Sequence, residues 1–367
     1  MRYGLLLLVL LASVAHAQQT NPDQLLKIAM SEQQHGDFPG AVRDYRKVLA
    51  LRPDMLEAKV NLGAALAHLG QYDEAIALYR SALPALSFKN PVLLDLGLAY
   101  FKKGDFADAR EQFEALHHLE PHDVRTAILL GDTYIRLLKP EAAVALLEPL
   151  KETASQNLDF EYVYGSALIG VGRRRDGVAH VQKVAQASDS ADAYLLAGAT
   201  LLQLNEFEQA RRDLETALRL NPNLPNIYTL VGTAEDKTGN TSQAETDFRE
   251  ALKISPGDFE ANLYLGGILY NKRQLPEAKI YLDRALQIRP QDFLARYESA
   301  MWKSTSGQYE SAAADLESLV KDDPDWLEPH VELASLYYKL HRPADGARER
   351  QVVDRLTAEQ QARGPGK

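Results

Sequence analysis

The densest group of metal-ligating side chains is His117, His118, His122 and Asp123. Imidazole and carboxylate bind divalent zinc well, but several ligands must converge on one point. His118 and His122 straddle Pro121, which breaks a shared helical face, so the group reads as a solvated turn and no metal is expected. Arg173, Arg174 and Arg175 could grip an acidic partner through bidentate hydrogen bonds, or could form a charged turn between helices. Asn240-Thr241-Ser242 has the form of an N-glycosylation acceptor. No reaction machinery accompanies these groups. There is no phosphate-binding glycine loop, no His-Glu-x-x-His and no Gly-x-Ser-x-Gly. Cysteine is absent, which removes thiol nucleophiles, thiolate metal ligands and disulfides. The numerous carboxylates fall on the solvated faces of helices. The chain is therefore expected to be no enzyme and to carry no cofactor.

The elements that must hold these residues announce themselves by period. Alanine or glycine recurs at Ala41, Ala75, Ala109, Ala143, Gly177, Ala210, Ala244, Ala278, Ala312 and Gly346. Every interval is 34 residues except one of 33, between Gly177 and Ala210. Twelve residues upstream runs a second small-residue series, Ala29, Gly63, Gly97, Gly131, Gly165, Gly198, Gly232, Gly266, Ala300 and Ala334. Proline recurs in phase at Pro53, Pro121, Pro222, Pro256, Pro290 and Pro324. A large apolar residue stands four positions after most of the alanines, as at Tyr45, Tyr79, Phe113, Leu147, Leu214, Phe248, Leu282 and Leu316. Registers in phase over ten units signal an array of stacked repeats.

Each unit predicts two helices. In residues 259–290, Asn262, Leu265, Gly266 and Leu269 share one side of a first helix, and Leu275, Ala278, Leu282 and Ala285 share a face of a second. Pro290 ends that helix and Asp292 is placed to cap the next; Pro53-Asp54, Pro256-Gly257-Asp258 and Pro324-Asp325 repeat the pattern. Glycine marks the turn within the pair at Gly36, Gly70, Gly104, Gly172, Gly239 and Gly307. The two small-residue series predict that a first-helix glycine faces the second-helix alanine, so that the backbones approach closely.

This pattern resembles the tetratricopeptide repeat family: a small residue at the eighth position, alanine at the twentieth, an aromatic at the twenty-fourth and proline at the thirty-second. The resemblance covers essentially the whole chain after residue 17, with units starting near residues 22, 56, 90, 124, 158, 191, 225, 259, 293 and 327 of an array over 18–361. It implies an all-α, right-handed solenoid of about ten helix-turn-helix units. It also implies that positions two, five, nine, twelve and thirteen of each first helix line a concave groove. Those positions hold Leu94, Leu98 and Phe101, then Ile128, Asp132, Ile135 and Arg136, then Tyr162 and Ile169, then Leu195 and Leu202. Farther on they hold Leu263, Tyr270 and Asn271, then Tyr297 and Met301, and finally Val331, Tyr338 and Lys339. Apolar side chains outnumber charges, which suits an extended peptide or a partner helix. A lysine–asparagine clamp for carboxylate tails, found in one variant of the family, is missing: its positions hold Val60 with Ala64, Leu94 with Leu98, and Leu263 with Gly267.

Departures cluster in residues 138–190. Leu138 replaces the turn glycine, Pro149 falls inside a second helix and predicts a kink, Gly177 replaces alanine, and one residue is deleted. An irregular or flexible joint is expected there. In the last unit Arg348, Arg350, Asp354, Arg355 and Glu359 suit a polar end cap continuing to about Gln361, and residues 362–367 read as a disordered tail.

At the other end, Arg2, an apolar run over residues 4–14 and Ala15-His16-Ala17 have the form of a cleavable signal peptide over residues 1–17. No other stretch is apolar enough to span a membrane. The formal charge of −10 disfavours nucleic acid. The expectation is an exported, periplasmic or secreted scaffold that binds a partner protein or peptide, with room for a homodimer through its solenoid ends. The alternative is an accessory or regulatory subunit of a cell-envelope enzyme or of a secretion or polysaccharide-export machine.

Overall fold

A computed structural model describes residues 21–363, whose elements are all helices, with no strand among the described residues. The signal-like segment and residues 364–367 of the expected tail lie outside the described residues. The chain divides into two compact units, Met1–Gly177 and Val178–Lys367.

The first unit carries α1 (Pro22–Gln34), α2 (Phe38–Leu51), α3 (Leu56–His68), α4 (Tyr72–Ala82), α5 (Asn90–Lys103), α6 (Phe106–Leu119), α7 (Val124–Arg136), α8 (Pro140–Leu147) and α9 (Leu158–Gly170). The division falls in the first turn of α10 (Arg174–Ser188). The second unit continues with α11 (Ala191–Gln203), α12 (Phe207–Leu220), α13 (Ile227–Lys237), α14 (Thr241–Ile254), α15 (Phe259–Asn271), α16 (Leu275–Ile288), α17 (Phe293–Thr305), α18 (Tyr309–Asp322), α19 (Leu327–Lys339) and α20 (Pro343–Arg363). Within each unit, helices pack on those next to them in the chain, and most successive first helices also touch. This is an all-α solenoid arrangement.

The alanines of the 34-residue series are sealed: Ala41, Ala75, Ala109, Ala143, Ala210, Ala244, Ala278 and Ala312 have no exposure. Nearest the glycines of the upstream series stands the twenty-fourth-position side chain, with the alanine's own backbone beside it at Gly198, where a Cβ would meet Leu214 at 2.5 Å and the Ala210 carbonyl oxygen at 3.2 Å. A Cβ on Gly63 would meet the Tyr79 ring at 2.8 Å, one on Gly97 the Phe113 ring at 2.5 Å, and one on Gly232 the Phe248 ring at 2.9 Å. Gly131 and Gly266 meet Leu147 and Leu282 in the same way. The reason is the backward tilt of helical side chains: a residue covers the patch over the turn preceding its own Cα. The twenty-fourth-position side chain thus lies back over the alanine's turn and fills the hollow of the glycine. Sealing Phe113 or Phe248 in this way contributes about 1.5–3 kcal/mol each.

Two glycines that replace the alanine are explained by their neighbours. A Cβ on Gly177 would meet the Gly165 carbonyl oxygen at 2.5 Å and Ile169 Cγ1 at 2.6 Å; one on Gly346 would meet the Tyr338 ring at 2.9 Å and the Ala334 oxygen at 3.0 Å. At both positions a backbone oxygen of the first helix and the twelfth-position side chain together stand too close for a methyl group.

Caps follow spacing. Asp123, Asp258 and Asp292, two residues after a proline, accept from the backbone N–H of Thr126, Ala261 and Ala295 at 2.9, 2.9 and 3.0 Å. Asp54 and Asp325 were expected to cap but stand one residue too early; Met55 and Trp326 hold the cap positions and make no side-chain cap bond. Pro149 does not kink its helix: α8 ends at Leu147 and the proline sits in a 3-10 turn, Glu148–Leu150. Where glycine is missing from the turn, Leu138, Asn205, Arg273 and His341 adopt the same left-handed conformation, with φ of 56, 59, 62 and 58°.

Candidate functional site

Among the described residues no group of three or more His, Asp or Glu could hold a metal ion. Asp123 is spent on capping α7. Burial and the neighbouring His118 push the His117 imidazole below its usual range, which favours the neutral ring. Arg173 bonds Glu148 at 3.2 Å and Asp176 at 3.1 Å, tying its turn to the end of the preceding repeat. The Asn240 amide nitrogen donates to Glu235 at 2.6 Å. No described helix is long and apolar enough to cross a membrane.

The first-helix positions form a surface of a different kind. In the first unit Leu94, Leu98 and Phe101 of α5 are half-buried, each packed on the core along one side. Phe101 meets Phe106 edge to face at 5.4 Å. The Arg136 guanidinium lies 5.1 Å from the Phe101 ring and 5.6 Å from that of Phe106, and its Nε stands 3.4 Å from Asp132. Phe101, Asp132 and Arg136, chosen from sequence in two different repeats, therefore meet. Burial raises the Asp132 carboxyl above its usual range, with Arg136 opposing. Ile128, Ile135 and Tyr162 are half-buried against the next core cluster.

In the second unit Leu195 and Leu202 lie half-buried on their cluster. Leu263 does not belong to the surface: it is 4% exposed and packs among Phe259, Leu282, Ala285 and Ala295. Its repeat turns Phe259 and Leu263 jointly inward, so the fifth position serves the core. Tyr270 shares a hydrogen bond with Thr305 at 2.8 Å, joining two first helices. Tyr297 is half-buried with its ring 5.2 Å from Trp326. Met301 is half-buried, Asn271 exposed, and Tyr338 is 44% exposed with Arg350 5.8 Å from its ring.

Residues that the positional scheme missed stand at the sixth position. Glu298 and Glu332, with Glu328 of the second position, act on Tyr297 through their charge: burial first, then these three carboxylates, push its phenol up. The Glu298 carboxylate lies 3.9 Å from where a Gly267 Cβ would stand, over a first helix bare of side chain. Its own ionisation is shifted upward by burial alone. The signal available in sequence was an acid at position six in adjoining repeats, with glycine at position nine before it.

The comparisons agree with this architecture. Tetratricopeptide repeat families match residues 26–90, 100–164, 191–224 and 237–301, more than half of the sequence. The chain belongs to the tetratricopeptide repeat proteins, a class that mediates protein–protein interactions. Among curated relatives, anaphase-promoting complex subunit 3 of Schizosaccharomyces pombe is 23% identical over 293 residues, covering 79% of this chain and 44% of the relative. Cellulose synthase operon protein C of Pseudomonas fluorescens is 27% identical over 238 residues, covering 62% of this chain and 18% of the relative. The chain thus spans less than half the length of either. A crystal structure of a tetratricopeptide repeat protein from Parabacteroides merdae shares the fold at TM-score 0.52 and 16% identity, over 66% of this chain and 97% of that one. One from the APC/C hetero-tetramer Cut9–Hcn1 does so at 0.51 and 13%, over 93% and 88%.

Proposed function

We propose that the protein is a non-catalytic scaffold that holds a partner peptide or helix on the first-helix faces of its units. The observation that supports it most is the run Leu94, Leu98 and Phe101, anchored on the core along one side and open on the other. Apolar side chains fixed in this way lose little freedom when a partner covers them, which favours binding over a floppy surface. Arg136 beside Phe101 and Asp132 would set the register of the bound segment. We read the chain as exported on the form of residues 1–17, with mature protein beginning near Gln18; N-terminal sequencing of protein from the host's envelope or medium tests this.

A photoreactive residue at Leu98 should cross-link the partner, whereas one at Ile254, 70% exposed at the end of α14, should not. Replacing Phe101, Tyr162 and Tyr297 together with serine should abolish capture while the far-UV circular dichroism remains helical. Capture undiminished by the triple change would move the site to another surface. A second reading, attachment to polysaccharide synthesis or export, is favoured by the similarity to cellulose synthase operon protein C. Recovery of one assembly in fixed proportion from envelope fractions would support it, and a spread of unrelated clients would count against it.

A further inference from the structure

We infer that the first-helix face of the last three repeats, over α15, α17 and α19, is built for a segment bearing lysine or arginine. This deepens the scaffold reading and rests on it.

Glu298, Glu328 and Glu332 each lie near enough to Tyr297 for their charge to act on its phenol. Glu298 is half-buried over Gly267 and makes no hydrogen bond or ion pair with any described residue. Burying a carboxylate without a compensating charge is unfavourable, and the natural compensation is a cation. The chain's own cations nearby are committed elsewhere. Arg289 bonds Glu260 at 2.9 Å, Arg296 bonds Asp322 and Ser318 at 2.8 Å each, and Lys303 bonds Asp315 at 2.5 Å. Lys339 lies 5.3 Å from the Tyr309 ring. None of them satisfies Glu298.

Aromatic faces complete the recognition chemistry. Tyr297 stands against Trp326 at 5.2 Å, and the Tyr270 hydroxyl is fixed by Thr305. A lysine or arginine entering here would exchange its hydration for carboxylate and ring contacts together. Gly267 matters because a side chain at that position would fill the space beside Glu298 that an incoming alkyl stem needs. An acidic segment would meet three like charges, so the face discriminates by repulsion as well as by attraction.

The test uses the full chain and fluorescein-labelled peptides of about twelve residues: alternating Lys and Ala, the same peptide with acetylated lysines, and alternating Glu and Ala. Anisotropy should show binding of the lysine peptide alone, weakening with salt. Glu298→Gln with Glu332→Gln should lower its affinity about tenfold, while Glu250→Gln with Glu310→Gln, the same charge change on second helices, should leave it within about twofold. Equal losses in both pairs would mean diffuse attraction to an acidic protein and would overturn the inference, as would equal binding of lysine and glutamate peptides. Capture of a peptide that falls with Tyr270→Ser and Tyr297→Ser but ignores Glu298→Gln and Glu332→Gln would overturn the charge preference and leave the first-helix reading standing. Thermal melts of every variant separate lost binding from lost folding.

Discussion

The Phe113 ring occupies the place of a side chain on Gly97: a Cβ there would stand 2.5 Å from the ring edge and 2.8 Å from the next ring atom. Phe113 has no exposure. Gly97→Ala, which in an exposed helix would stabilise by about 0.5–1 kcal/mol, should here destabilise by about 1–3 kcal/mol through overpacking. Urea unfolding followed at 222 nm measures it. Gly232→Ala poses the same conflict with Phe248, and there Trp302 and Trp326 of the second unit offer a fluorescence readout. A gain in stability in both variants would mean that the rings are free to shift.

Gly177→Ala should be costly for a partly different reason. One obstacle is the Ile169 side chain, which can be trimmed, and the other is the Gly165 carbonyl, which cannot move without the helix. Ile169→Ala in the same molecule should recover part of the loss. A double-mutant cycle should yield a coupling of about 0.5–2 kcal/mol favouring the pair, with the remainder left uncorrected. Zero coupling would place the conflict wholly on the backbone.

Leu138 is 88% exposed and holds a left-handed turn at φ 56°. Its side chain gains nothing from packing while its Cβ strains the backbone. Leu138→Gly should raise stability by about 0.5–1 kcal/mol, seen as a higher midpoint in urea at unchanged slope.

Asp247 is 4% exposed, and burial pushes its carboxyl up to about 6, with Gln243 opposing and Glu215 and Glu250 adding. A raised folded value means that the folded chain holds a proton which the unfolded chain releases near pH 4. This favours folding below about pH 4 and is lost as pH rises through about 6. Asp247→Asn should therefore be the more stable form at pH 7.5 by about 1–3 kcal/mol, and the gap should close at pH 4. Melting temperatures of both proteins across that range decide it; a gap constant with pH would exclude titration of Asp247 as its source.

What could be seen in the sequence and what could not divides along physical lines. Helix pairing was legible because position-specific sterics repeat: an alanine with no exposure, a glycine turn near φ +80° and a proline end leave few substitutes. Matching small residues pointed to a close approach of the two helices, as at Gly198 beside the Ala210 oxygen and Gly177 beside the Gly165 oxygen, but not to the side-chain tilt that brings Tyr79, Phe113 or Phe248 onto the glycine. Asp54 and Asp325 were misread as caps because a one-residue offset decides which carboxylate reaches the first amides. Among the candidate surface residues, Phe101, Asp132 and Arg136 do meet, but Leu263 turned inward and Glu298 went unseen. A positional scheme assigns one role to each position, yet Leu263 at the fifth packs into the core and Glu298 at the sixth lies over Gly267.

Packing within each unit joins helices that are close neighbours in the chain. Chain length is consequently a free variable. Excising residues 90–123 would set the surface that α4 now offers to α5 against α7, which presents the same kind of face, with Leu130 and Gly131 where Leu96 and Gly97 now stand. Gain or loss of a whole 34-residue module by recombination would thus preserve the kind of every remaining helix contact, letting the length of the array evolve separately from the packing inside each repeat.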